Sequence, residues 1–327
     1  MLQTRAAVGL LAAVLAWGCK GGDGAGPPAP GLADPAALTS QLAAVNRAAN
    51  VAPLQSLGAV AVPLYLSNLD VNSITGFDLN HTRVWDPNAE LYVGSSRTDA
   101  PDGAVRVVLY AIDSTSGFPA VPLVEVGTVD LYPRNDIING PLVTDKMRYV
   151  VSDTGMSPAV FADFTAVTRY EPACLCATVA GWVTDGVTRL DFSAPYSIIF
   201  GGAATFMGQV TTSPQSLPLA HVGVLPPLGD STMSANARFA FLGDSLESQG
   251  YVSFHASGPP TATFTILVNG RTFATASYTA GAETFSGPSG RVLSAAEQTA
   301  VRELAAMPLG LALNVEFPTL TTFYCGC

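Results

Sequence analysis

Thr263–Tyr278 reads TFTILVNGRTFATASY. Phe264, Ile266 and Val268 alternate with Thr263 and Thr265, the period-2 pattern of a strand with one buried face. Asn269-Gly270 then breaks the alternation. This dipeptide is the strongest short signal for a type I′ turn, whose two central residues both need positive φ. Thr272–Tyr278 returns along the first strand, so the stretch is a β-hairpin with an apolar side and a Thr-bearing side.

The same pattern spreads outward from it. Toward the N-terminus lie Tyr251–Ala256, Ala237–Leu242, Tyr196–Phe200, Val187–Phe192, Cys176–Thr184, Ala159–Tyr170, Lys146–Ser152, Leu123–Leu131 and Val105–Ile112. These runs are rich in β-branched residues and bounded by Gly, Pro and Asp. Asp185-Gly186 is a second hairpin signal. Thr211–Asp230 is looser, with Pro214, Pro218, Pro226 and Pro227, and is a candidate internal boundary. Beyond the hairpin, Ser294-Ala-Ala-Glu297 is a capping box for a helix that Pro308 is expected to stop after Met307. A last strand is expected over Leu311–Phe317.

Near the other end, Asp34 and Pro35 read as an N-cap and first helical residue. Leu38, Leu42, Val45 and Ala49 follow at helical spacing, giving one amphipathic helix over Pro35–Asn50 that covers the β-structure. The expected class is mainly β: an antiparallel β-sandwich or open barrel with a short N-terminal helix and a short helix near the C-terminus.

The first nineteen residues carry the localisation. Arg5 precedes an apolar run from Ala6 to Trp17, too short to span a bilayer and suited to a signal-peptide core. Leu15, Ala16 and Gly18 before Cys19 resemble the lipobox of bacterial lipoproteins. That resemblance implies cleavage after residue 18 and diacylation of Cys19. Lys20, in place of an aspartate, implies the outer membrane. Lys20–Pro30, KGGDGAGPPAP, is the flexible spacer expected behind such an anchor. The division is thus a signal peptide over 1–18, an anchor and tether over 19–33, and a β-rich domain over 34–327.

Hydrophobic residues make up 48% of the chain and charged residues 12%. Without Arg5, fourteen cations face twenty-five carboxylates, a net charge of −11. No basic cluster occurs, so nothing replaces the counterions of a phosphate backbone and nucleic acid is excluded as a partner.

With Cys19 acylated, Cys174, Cys176, Cys325 and Cys327 remain as two Cys-x-Cys pairs. Residues two apart in a strand share a side, and export favours oxidation. Two disulfides between the pairs are expected, in either register, with the pairs facing each other on adjacent strands. Closing the loop from Cys176 to Cys325 stabilises the fold by on the order of 5 kcal/mol. A four-thiolate zinc site and a redox-active Cys-Gly-Cys are weighed against this. The first has tighter spacing than zinc sites use, and the second lacks the nearby cation that lowers a thiol pKa. No metal or cofactor is expected.

Phe239–Leu246, FAFLGDSL, resembles the nucleophile block of GDSL-type serine hydrolases, which would make Ser245 the nucleophile. The family's remaining blocks are absent, and none of His81, His221 and His255 lies in its Asp-x-x-His. A serine without a base is a poor nucleophile, so Gly243–Gly250 reads as a hairpin loop. Asp70, Asn72, Asp78 and Asn80 offer oxygen ligands for calcium without EF-hand spacing, and Asx turns account for them. His81, Trp85 and Asp86 suggest a ligand platform or, more simply, a packed histidine beside a core tryptophan. The expected role is structural or interactive: an envelope lipoprotein, membrane-bound through its lipid, that meets another protein or a surface polymer. The alternatives are a carrier of apolar small molecules or lipids and, last, a hydrolase.

Overall fold

The computed structural model describes residues 30–68, 79–113, 116–134, 144–155, 157–171, 174–199, 204–213, 218–225, 231–254, 259–279 and 281–311. In chain order the elements are α1 (Pro35–Ala49), α2 (Ala52–Asn68), β1 (Thr82–Asp86), β2 (Leu91–Gly94), β3 (Val105–Tyr110), β4 (Glu125–Arg134), β5 (Thr144–Ser152) and β6 (Val160–Glu171). They continue with β7 (Cys174–Thr184), β8 (Arg189–Ile199), β9 (Ala204–Ser213), β10 (Pro218–Leu225), β11 (Ser231–Phe241) and β12 (Asp244–Phe254). The last are β13 (Thr261–Val268), β14 (Arg271–Thr279), β15 (Ala282–Ser286) and α3 (Ala295–Leu311).

The strands form one fifteen-stranded sheet whose order follows the sequence from β15 back to β3 and ends β1, β2. Every pairing is antiparallel except β1 with β3. The sheet does not close, since β2 and β15 are its two ends. The mainly β class and the helices near each end match the sequence reading.

Register explains why one face is buried. Val107, Val129, Val151, Ala162, Val183 and Leu190 pair one after another across β3 to β8. All six are fully buried. A slip of one residue in any strand would turn its apolar set to water, so this row fixes the register.

The three helices cover this inner face. α2 lies over β2–β6, α1 over β7–β8, and α3 over β11–β14 against α1. α1 starts as expected: Asp34 Oδ1 accepts the Ala37 N–H at 3.0 Å, and Leu38, Leu42, Val45 and Ala49 are buried. At α3 the capping box is reciprocal. The Ser294 N–H donates to Glu297 Oε2 at 2.8 Å, and the Glu297 N–H donates to Ser294 Oγ at 3.3 Å. Contrary to expectation, α3 runs through Pro308 to Leu311. Residues 312–317, the rest of the expected last strand, lie outside the described residues.

α2 was not foreseen. Its run, APLQSLGAVAVPLYLSN, is apolar all round and contains Pro53, Gly58 and Pro63, so no amphipathic period marks it. Such a helix belongs inside a protein, and Pro53, Leu54, Leu57 and Val60 are buried. Gly127 of β4 admits it, because a Cβ there would collide with Pro53 and with the Ser152 carbonyl. Among the described residues no helix is long and apolar enough to cross a membrane.

Candidate functional site: the outer face of the sheet

Because helices take the inner face, the chemistry available to partners lies on the outer one. Over β3–β8 that face is built on a row one residue out of phase with the buried row. Arg106, Asp130, Val150, Asp163, Trp182 and Asp191 pair in succession. Arg106 donates to Asp130 through Nε and Nη2 at 2.7 and 2.8 Å. Arg148 grips Asp163 in the same forked way at 2.8 and 2.7 Å and lies 5.6 Å from the Tyr132 ring centre. Arg189 binds Asp191 and covers the Trp182 ring at 4.6 Å. At the β1 side, Arg97 donates to Glu125 at 2.7 Å and to Asp99 at 3.0 Å. Burial opposes ionisation of Asp99, but the Thr82 hydroxyl and the Arg97 guanidinium outweigh it and hold the carboxyl below the usual range. Forked, charge-assisted bonds of this kind fix orientation as well as adding energy.

Over β11–β15 the outer face carries one such pair, Arg238 with Glu247 toward the β11–β12 turn, where Gln249 Nε2 also donates to Glu247 Oε2 at 3.1 Å. The rows beyond it are uncharged. Ser234, Tyr251, Thr263, Ser277 and Thr284 form one register row. Asn236, Gln249, Thr265, Thr275 and Ser286 form the next. Thr232, Ser253, Thr261 and Thr279 form a third. The three rows contain no Asp, Glu, Lys or Arg and cover roughly 19 by 13 Å at ordinary strand spacing. Tyr251 stands in the middle row, 50% exposed.

Among the described residues the inner face beneath these rows is apolar apart from Ser248, Tyr278 and, at the β15 edge, Glu283, which meets Arg302 of α3 at 2.8 Å. The hydroxyls of Ser248 and Tyr278 are buried and make no hydrogen bond. Burial, and secondarily Glu283, pushes the Tyr278 phenol up to about 12.

The Asn269-Gly270 turn has two residues, at φ +52° and +73°, as type I′ requires. The Asp185-Gly186 hairpin forms, but its loop has four residues, Asp185–Thr188, closed by Asp185 accepting the Val187 and Thr188 N–H groups at 3.0 and 2.7 Å. Gly243–Gly250 is not a loop: the turn is Leu242-Gly243 alone, and β12 begins at Asp244. Ser245 therefore sits in a strand, opposite Ala240, and its N–H donates to Asn269 Oδ1 at 2.9 Å. His221 lies on β10 opposite Ala237, two strands away and three register positions along, and His255 is outside the described residues. No histidine is thus brought to Ser245 among the described residues.

Trp85 is buried, edge-on to Tyr92 at 5.4 Å and stacked on Phe118 at 5.9 Å. It is a core residue and not a platform. His81 is exposed, a correction to its reading as a packed side chain, with Nδ1 at 3.0 Å from the Leu79 carbonyl. Asn80 serves a turn, at φ +66°, accepting the Gly103 N–H at 2.7 Å. Asp70, Asn72 and Asp78 lie outside the described residues. Among the described residues no group of three His, Cys, Asp or Glu could hold a metal ion.

Cys174 and Cys176 open β7, opposite Glu171 and Arg169 of β6 and opposite Ile199 and Ser197 of β8. Both sides of β7 are therefore taken by strands without cysteine. The expected pairing of two Cys-x-Cys segments on adjacent strands does not fit this ladder. Cys19, Cys325 and Cys327 lie outside the described residues. The segment around 211–230, expected to be loose, contributes the end of β9 and all of β10, which pair from Pro218↔Thr211 to Leu225↔Ala204. The signal missed there was the run PLAHVGVL, whose strand pattern is masked by the flanking prolines.

No family model matches the chain, and no curated protein and no solved structure is similar to it.

Proposed function

We propose that the protein is an exported, lipid-anchored binding module of the cell envelope that meets a surface polymer with the outer face of β11–β15. The observation that carries this reading is the uncharged hydroxyl and amide field around exposed Tyr251. Hydroxyls and amides donate and accept hydrogen bonds without a charge to desolvate, and an exposed aromatic ring offers a flat apolar surface to a sugar ring. Helices on the opposite face hold the field rigid, which limits the ordering cost of binding. Cys19 anchors the chain, and the remaining cysteines form disulfides that link Cys174 and Cys176 to Cys325 and Cys327.

The test is co-sedimentation of the mature protein with purified, neutral envelope polysaccharide. Tyr251→Ala and Thr263→Lys should each weaken retention at least fivefold, while Arg238→Ala should not. Equal retention of all variants overturns the polymer reading. A second reading, a carrier of apolar ligands between α3 and the sheet, is favoured by the unbonded Ser248 and Tyr278 hydroxyls. A lipid copurifying with the protein in native mass spectrometry, and lost in Ser248→Val, would promote it.

A further inference from the structure

The odd hairpin turns all lie at one rim. β3, β5, β7, β11 and β13 run toward it, and β4, β6, β8, β12 and β14 run away. The tips are nearly level. The buried row through Val151, Val183 and Leu190 stops within two residues of the turns after Ser152 and Thr184. The turn after Phe241 lies at the same height, since Leu219 pairs with both Val210 and Phe239.

Three of these tips, those after β3, β7 and β11, expose aliphatic side chains where turn chemistry calls for polar ones. Val187 is 81% exposed, Leu242 68% and Val121 74%; Val292, in the connection from β15 to α3, is 86% exposed. Leu242 is the sharpest case. It occupies the first position of a type I′ turn at φ +49°, where its sister turn places Asn269 at +52°. A branched, apolar residue is strained there, and among the described residues it stays 68% exposed. A local rule broken without local compensation points to function.

We propose that this rim rests on a neutral phospholipid surface, with Val187 and Leu242 dipping into the bilayer interface. The inference rests on the lipid-anchor reading. Three observations select the occupant. The side chains are small aliphatics suited to shallow insertion. Among the described residues lysine is absent from this rim and its arginines are largely matched by carboxylates, Arg47 by Asp185, Arg189 by Asp191 and Arg291 by Glu297, so anionic headgroups find little free positive charge to attract them. The third is reach: Arg47 pairs with Asp185 at 3.6 Å, which brings the end of α1 to the rim. Pro35 is then about 18 Å back along that helix. The fifteen residues from Cys19 to Asp34 extend to roughly 50 Å, so an acylated Cys19 reaches the same plane.

The experiment places a tryptophan at each tip, Val187→Trp or Leu242→Trp, in the mature protein bound to phosphatidylcholine vesicles, with Thr263→Trp on the outer face as the control. Acyl-chain-brominated phosphatidylcholine should quench the added fluorescence at 187 and 242 at least twofold more than at 263. Adding Leu242→Asp to the Val187→Trp protein should remove the excess. Quenching at the tips no greater than at 263, or a protein partner crosslinked at residue 187 in intact envelopes, overturns the proposal. The mass of the mature protein separates this from the anchor. An acylated protein without tip quenching leaves the anchor standing alone. Tip quenching in a protein without acyl chains leaves the rim standing alone.

Discussion

Where β3–β8 face outward they present arginines clamped to carboxylates. Where β11–β15 face outward they present hydroxyls and amides, with no charge in three register rows. Beneath both, the inner face solves its packing in the same way. A phenylalanine lies over a cross-strand glycine in each region: Phe164 over Gly181, and Phe264 over Gly250. In both pairs an added Cβ would overlap the ring-bearing residue. The difference teaches that burial fixes one face and leaves the other to be spent on partners. The first region clamps its outer groups in ion pairs, and the second, apart from Arg238 with Glu247, presents neutral hydroxyls and amides.

The strongest test asks whether the inner faces really are equivalent. Phe164→Ala and Phe264→Ala should each cost about 3–5 kcal/mol, as truncation of a buried aromatic does. Urea unfolding measures both. A loss below about 1 kcal/mol at Phe264 alone would mean the second region is held mainly from outside. The next test concerns the outer faces. Asp130 is nearly buried, its side chain 7% exposed. Arg106→Met strands that carboxylate and should cost about 2–3 kcal/mol. Thr265→Ala, on the uncharged face, should stay within about 0.5 kcal/mol. Equal effects would erase the distinction.

The smallest effect is in pH. Asp99 and Asp185 both ionise below the ordinary value of 3.8. At Asp185 burial again opposes ionisation, and the Thr188 and Val187 N–H groups with Arg47 outweigh it. A folded value below the unfolded one gives stability that is complete above about pH 5 and lost as pH falls through the folded value. Asp99→Asn and Asp185→Asn should therefore flatten the fall of the unfolding midpoint between about pH 5 and 3. A slope identical to the unsubstituted protein would show that these carboxylates are not coupled to folding.

Much of the fold was legible because alternation and turn chemistry are local. TFTILVNGRTFATASY contains its own strands, register and turn. Ser294 and Glu297 likewise announce α3 within four residues. The failures have the opposite character. α2 has no polar face, so periodicity cannot find it, and only the glycine of β4 and the sheet behind it make it a helix with a place. β1 and β2 are short and sit at the sheet's end, where β1 joins by a parallel pairing with β3 that no turn signal marks. The outer-face ion pairs join Arg106 to Asp130 and Arg148 to Asp163 across neighbouring strands, and spacing along the chain does not reveal which carboxylate each arginine meets. Leu242 looked like part of a serine motif because the letters after it do. Its exposure and positive φ appear only once β11 and β12 are paired.

The order of the strands has a consequence for how the chain acquires its structure. From β4 onward each strand meets the one made just before it, so contacts form between near neighbours and loop-closure entropy stays small. A polypeptide threaded outward from its first residue can zip up hairpin by hairpin as it emerges. One contact cannot be made early: Asn46 of α1 bonds Glu303 of α3 across 257 residues. The first helix must wait for the last, and the wall between them is seated only when nearly the whole chain has arrived.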